Sequence, residues 1–323
     1  MPENYDKLEV TVAGAGTMGH GLALVMAGAG HSVTLLDTDK EILDKALEQI
    51  HWHLEMLREE GLEKRPPEDI LARIKISAEK EAMGGADLVI ESVSEDTEVK
   101  RSFYREIEKL CRPDAVIASN TSYLNIFEMA PSSIQQRLLI SHFYAPPYLI
   151  PLVEIVKGPE TQEEIVEWIK GLLAAAGREP VVMEKFISGF IVNRLQRAMG
   201  REILHLIDEG YAKPEEIDRA VLASLGIRLP VLGVVRRFDF TGLDFTRKVL
   251  SNPSIELVSQ DKSSRVIDDL VARGCLGVKS GMGFYDYSGA DPKEIYRKRD
   301  RLLIRMRALM REIKQTFWSD FDE

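Results

Sequence analysis

The sequence predicts an α/β domain built on a doubly wound sheet, followed by an all-α C-terminal domain. Three observations predict it. Residues 8–37 run strand, glycine-rich turn, helix, strand, which is a βαβ unit and implies parallel pairing. Strand-like and helical segments then alternate to about residue 185, and beyond Phe186 little β signal remains. A chain of 323 residues also exceeds one ordinary domain. The expected division is 1–185 and 186–323.

Each element has its own signal. Residues 8–13 form a short β-rich run that leads directly into Gly14-Ala-Gly16-Thr17-Met18-Gly19. Leu22, Val25, Met26 and Ala29 recur at helical spacing until Gly30 stops the helix, and residues 32–36 form a second strand closed by Asp37. A charged helical stretch covers 39–60 and is broken by Gly61 and Pro66-Pro67. Strand-like runs follow at 88–90, 115–118, 137–141 and 152–156, with a last one at 181–182; helical patterns at 99–110 and 163–175 lie between them. In the second half, 191–207 is a long amphipathic helix and Pro214 opens another. Residues 293–314 form a charged helix striped by Ile295, Leu302, Leu303, Met306 and Met310.

Composition narrows the function classes. A net charge of −10 argues against nucleic acid or an anionic membrane surface as the main partner. Cys111 and Cys275 are the only cysteines, which excludes a disulfide framework and a CxxC metal site and fits a reducing cytoplasm. The N-terminus is acidic where a signal peptide would be basic, and no apolar run is long enough to span a membrane. His51 and His53 flank Trp52, but residues two apart on a helix point in different directions, so no metal site is predicted.

The glycine pattern gains meaning from its place between strand and helix. Gly14 permits the tight turn, Gly16 lets a pyrophosphate approach the backbone, and Gly19 lets helix and sheet pack closely, as in a Rossmann domain. Phosphates would meet the free N–H groups and positive dipole of the helix, with Thr17 and Met18 in the turn. A carboxylate at Asp37 would accept hydrogen bonds from ribose hydroxyls and repel a 2′-phosphate, which favours NAD over NADP. A flavin or S-adenosylmethionine site, or a turn that binds nothing, is the competing reading.

The segment from Ser141 to Glu154 carries the candidate chemistry. His142 ends a predicted strand, at the edge that faces ligand in open α/β sheets. Pro146-Pro147 cannot continue a central strand, so the chain turns and 152–156 can run back beside 137–141, bringing Glu154 to the imidazole. A His–Glu pair suits oxidation of a secondary alcohol: imidazole takes the hydroxyl proton, and the carboxylate fixes its tautomer. On spacing alone, a structural histidine and an unrelated glutamate fit equally well. His20 reads as structural or cofactor-lining, and His31 and His205 as structural.

Several stretches together resemble the L-3-hydroxyacyl-CoA dehydrogenase family across roughly residues 8–287. They are residues 12–19 (VAGAGTMG), 89–96 (VIESVSED), 118–122 (ASNTS), the His142 to Glu154 segment, 189–195 (GFIVNRL) and 277–285 (GVKSGMGFY). The resemblance implies His142 as base, Glu154 as its orienting partner, Ser122 beside the substrate hydroxyl and nicotinamide, and Asn193 against the substrate. It also implies that Glu95, Lys100 and Lys279 are cofactor-linked, and that the helical domain forms a homodimer. The default substrate is then an (S)-3-hydroxyacyl-CoA. Two departures stand out: Ala145 replaces the family's usual Asn, and Gly233-Val-Val235 stands in place of a GPF motif. Residues 146–154 and 225–233 are similar to the branch acting on free hydroxy acids such as gulonate or carnitine, where an arginine at Arg228 could bind a substrate carboxylate. A non-catalytic NAD-binding structural protein is the third expectation.

Overall fold

The computed structural model describes residues 5, 7–258 and 264–316, so most of the acidic N-terminal stretch lies outside the described residues. The chain separates into two compact units, Met1–Val192 and Asn193–Glu323.

The first unit runs β1 (Glu9–Ala13), α1 (Gly19–Ala29), β2 (Ser32–Leu36), α2 (Lys40–Glu59), α3 (Pro67–Leu71), β3 (Ile74–Ser77) and β4 (Leu88–Glu91). It continues with α4 (Thr97–Leu110), β5 (Val116–Ser119), β6 (Leu138–Phe143), β7 (Leu152–Lys157), α5 (Glu163–Ala175) and β8 (Glu179–Met183). The eight strands form one sheet in the order β3-β2-β1-β4-β5-β6-β7-β8. Every pairing is parallel except β6 with β7. The chain winds outward from β1 on one side and from β4 on the other, so the topological switch lies between these two strands. The carboxyl ends of β1, β2, β4, β5 and β6 share one edge, where a doubly wound sheet binds its ligand.

Sequence and packing agree along the central strands. β4, β5 and β6 are buried at every position, as strands covered on both faces require. Asp39 caps α2 by accepting from the Glu41 and Ile42 N–H groups, and Asp96 caps α4 in the same way through Glu98 and Val99. β3 was not expected from the sequence. It is a four-residue edge strand in which only Ile74 is buried, so it carries almost no apolar signal.

Beyond β8 the chain still belongs to the first unit. Phe190 is fully buried in the core cluster around Ile117 and Ile140, and Phe186 packs against that cluster. The compact unit therefore extends to Val192.

The second unit is helical: α6 (Val192–Asp208, whose first residue closes the first unit), α7 (Pro214–Leu222), α8 (Leu225–Leu232), α9 (Arg236–Thr241), α10 (Leu243–Leu250), α11 (Arg265–Ala272) and α12 (Pro292–Thr316). Between α11 and α12, short bridges join Gly277 to Met282 and Met282 to Asp286, and Tyr285 donates to Asp218 of α7 at 2.5 Å. Among the described residues, no helix is long and apolar enough to cross a membrane.

Candidate active site

The carboxyl edge of the sheet holds an open cleft of about 1080 Å³. Gly14, Gly16, Thr17, Met18, Asp37, Glu95 and Ser122 all line it. Gly14 has φ +97°, and a Cβ there would lie 2.3 Å from the Ser92 carbonyl oxygen. A Cβ on Gly19 would lie 1.7 Å from the Gly14 carbonyl oxygen, so this glycine serves packing and not the cleft. A Cβ on Gly16 would meet no protein atom and would project into open space. α1 has no side-chain cap and no acidic residue in its first turn, leaving its positive end for a ligand. Asp37 is pre-set by two backbone donors, Ala15 N–H to Oδ2 at 2.8 Å and Asp39 N–H to Oδ1 at 3.1 Å. Glycine cradle, uncapped helix end and the Asp37 carboxylate together fit a dinucleotide.

Glu95 clamps the turn after β5. One of its oxygens accepts from the Thr121 hydroxyl at 2.7 Å, the Ser122 N–H at 2.8 Å and the Tyr123 N–H at 3.2 Å. Burial works to raise its carboxyl, but the Thr121 hydroxyl, the Lys100 charge and the Ser122 N–H outweigh it and hold the group below the usual carboxylate range. Lys100 does not reach the cleft. It is 1% exposed and donates to Glu91 at 2.6 Å, with Glu95 at 3.2 Å. The cofactor-linked lysine expected from the resemblance therefore sits in a buried ion pair that braces Glu95, which lines the cleft.

Glu91, which sequence reasoning did not single out, anchors this arrangement. It is fully buried and accepts from Lys100, the Tyr104 hydroxyl at 2.8 Å, the Ser119 hydroxyl at 2.5 Å and the Val93 N–H at 3.0 Å. Its donors come from three separate segments, so only the motif around it gave any signal.

On the next strand, β6 and β7 place His142 directly opposite Glu154. Directly paired residues point to the same sheet face. His142 Nδ1–H donates to Glu154 Oε2 at 2.9 Å; a carboxylate can only accept, which assigns the tautomer and leaves Nε2 with a lone pair. Glu154 is fully buried and satisfied: Tyr144 also donates to Oε2, at 3.1 Å, while the Ile191 and Val192 N–H groups donate to Oε1 at 2.9 and 3.0 Å. Burial pushes its carboxyl up, and the His142 and backbone hydrogen bonds more than reverse this, leaving it below the usual carboxylate range. Phe190 packs on the imidazole with centroids 5.1 Å apart and holds a left-handed φ of +52°, a conformation costly for a non-glycine residue. The Asn120 carbonyl accepts the Phe143 N–H at 2.8 Å, tying the Ser122 turn to the strand bearing His142.

Asn193, the next residue after Val192, opens the second unit near the start of α6. Arg228 lies exposed on α8, and Lys279 lies exposed in the turn before α12. His20 is buried, bonded to the Gly16 carbonyl and stacked on His53; burial lowers its pKa. Among the described residues no cluster of His, Cys, Asp or Glu could hold a metal.

Comparison with known proteins decides the family. The model described as 3-hydroxyacyl-CoA dehydrogenase, NAD binding domain, matches residues 9–186. The model for the C-terminal domain of the same enzymes matches 189–287. The chain belongs to the 3-hydroxyacyl-CoA dehydrogenase family. Like its family, this dehydrogenase is an NAD-dependent oxidoreductase acting on CH–OH groups. It is 34% identical to a probable 3-hydroxybutyryl-CoA dehydrogenase of Bacillus subtilis over 282 residues, 86% of this chain and 97% of the relative. It is 30% identical to the 5-formyl-3-hydroxy-2-methylpyridine 4-carboxylate 5-dehydrogenase of Mesorhizobium japonicum over 303 residues, 93% of this chain and 97% of the relative. A crystal structure of an enzyme of that pyridine activity, described as an NAD+-dependent dismutase, aligns with a TM-score of 0.84 and 28% identity, covering 94% of this chain and 99% of the other.

Proposed function

We propose that this dehydrogenase oxidises the C3 hydroxyl of a short-chain (S)-3-hydroxyacyl-CoA to the 3-oxo product, with His142 as general base. The observation that carries the reading is the His142–Glu154 hydrogen bond at 2.9 Å on the ligand-binding edge of the sheet. Bound NAD supplies the hydride acceptor. Nε2 of His142 takes the hydroxyl proton as hydride leaves C3, and Glu154 stabilises the imidazolium that results. Ser122 holds the substrate oxygen beside the nicotinamide, and Asn193 orients the acyl group. Gly14, Gly16, Thr17, Met18 and Gly19 form the pyrophosphate cradle. Asp37 takes the ribose hydroxyls and turns away a 2′-phosphate; Glu95, braced by Lys100, takes the second ribose, and Lys279 adds a cofactor-linked charge.

A second reading keeps this chemistry and changes the substrate to a free hydroxy acid. It is favoured by the relative of Mesorhizobium japonicum, whose name includes a carboxylate and which matches this chain nearly end to end. In that reading Arg228 binds the substrate carboxylate. NADH formation with 3-hydroxybutyryl-CoA, 3-hydroxybutyrate, gulonate and carnitine tests both, with NADP as control. The thioester is expected to give the highest kcat/KM, and Arg228→Ala should leave it unchanged. A free acid as best substrate, losing about ten- to a hundredfold in Arg228→Ala, would select the second reading.

Two copies associating through the helical unit is part of the proposal. No residue of α6, α8, α9, α10 or α11 is buried within the chain, and Leu222, Val235 and Leu250 are at least 70% exposed. Light scattering should give twice the chain mass, and a monomer across the micromolar range would refute this association.

A further inference from the structure

Glu154 Oε2 receives two donors, and the mechanism above uses only one of them. His142 Nδ1–H donates at 2.9 Å and the Tyr144 hydroxyl at 3.1 Å. Tyr144 also packs its ring edge-on to the imidazole, with centroids 4.6 Å apart and planes at 67°. It stands two residues beyond His142, just past the end of β6. One side chain therefore touches both members of the dyad.

We propose that Tyr144 is a positioning residue that sets the basicity of the dyad by sharing Glu154 Oε2 with His142. This inference rests on the reading of His142 as the base. The physical argument concerns charge on one oxygen. A carboxylate stabilises an adjacent imidazolium through its negative charge, and a second hydrogen bond to the same oxygen withdraws part of that charge. The neutral imidazole is the form that accepts the hydroxyl proton, so the tyrosine keeps the base unprotonated at lower pH. Glu154 from β7 and Tyr144 are titratable groups that touch the imidazole; Phe190 supplies an apolar face, and Glu95, behind the Ser122 turn, is paired with Lys100.

Tyr144→Phe removes the hydroxyl and keeps the ring. In this variant the titration midpoint of the His142 ring signals, followed by NMR on ring-labelled histidine and assigned by their absence in His142→Gln, should rise by about 0.5–1 pH unit. The acidic limb of kcat/KM should move by the same amount, while KM for NAD and the kcat plateau change less than about threefold. A ring titration and an acidic limb that both stay in place overturn the proposal. A ring titration that moves while the acidic limb does not supports the role of Tyr144 and counts against His142 as the base. Tyr144→Leu, which offers no hydrogen-bond donor, should shift the ring titration in the same direction; an unshifted midpoint there counts against the proposal even if Tyr144→Phe folds poorly.

Discussion

His142→Gln is expected to lower kcat by about 10²–10⁴-fold, the usual worth of a positioned general base, with little change in the affinity for NAD. The amide fills much of the space of the imidazole beside Phe190 and can still donate to Glu154, so the sheet has no reason to rearrange. What it cannot do is accept a proton near neutral pH. A loss confined to kcat would place His142 in the chemical step, whereas a loss confined to KM would make it a binding residue. Near wild-type turnover would remove the central residue from the account.

Glu154→Gln is expected to cost on the order of 10²-fold or more in kcat, for a different reason. Glu154 faces four donors, from His142, Tyr144, Ile191 and Val192. A glutamine has only one accepting oxygen, so its NH₂ must confront two of them. If it confronts His142, the imidazole moves its proton to Nε2, the tautomer that cannot act as base. If it confronts the backbone pair, two buried N–H groups lose their acceptor at about 1–3 kcal/mol each. Kinetics and a denaturation midpoint measured together separate these outcomes. The variant should also change the response to acid. The Glu154 carboxyl is held below its ordinary value in the folded chain. Its stabilising contribution is therefore complete above the unfolded value and is lost as pH falls through the folded one. Wild type should lose more stability than Glu154→Gln between pH 7 and about pH 4; equal losses would show that Glu154 carries no such linkage.

Local signals made most of this site legible in the sequence. The glycines of the 14–19 turn are adjacent, and their positions relative to β1 and α1 follow from strand and helix periods alone. The His142–Glu154 pairing was also readable, because Pro146-Pro147 forces a reversal and antiparallel return then fixes which residues face each other. Spacing left the pair open to a structural reading, and the surrounding motifs supplied its chemical sense.

Long-range polar partnering was not readable. The resemblance links Lys100 to the cofactor, but its burial depends on Glu91, and that carboxylate also draws on Tyr104 and Ser119. Tyr144 did have a local signal, since it lies two residues from His142, but its hydroxyl gains meaning only once Glu154 is in place. β3 escaped notice because an edge strand buries too little to leave an apolar pattern. That Phe190 folds back into the core of the first unit was not readable either, because its partners Ile117 and Ile140 are distant in sequence.

The most direct test of the central claim is the pH dependence of kcat/KM for alcohol oxidation by the wild type and His142→Gln. The account predicts that wild-type activity falls on the acidic side with the uptake of one proton, and that this limb is absent from the residual activity of the variant. An acidic limb that persists unchanged in His142→Gln would contradict it.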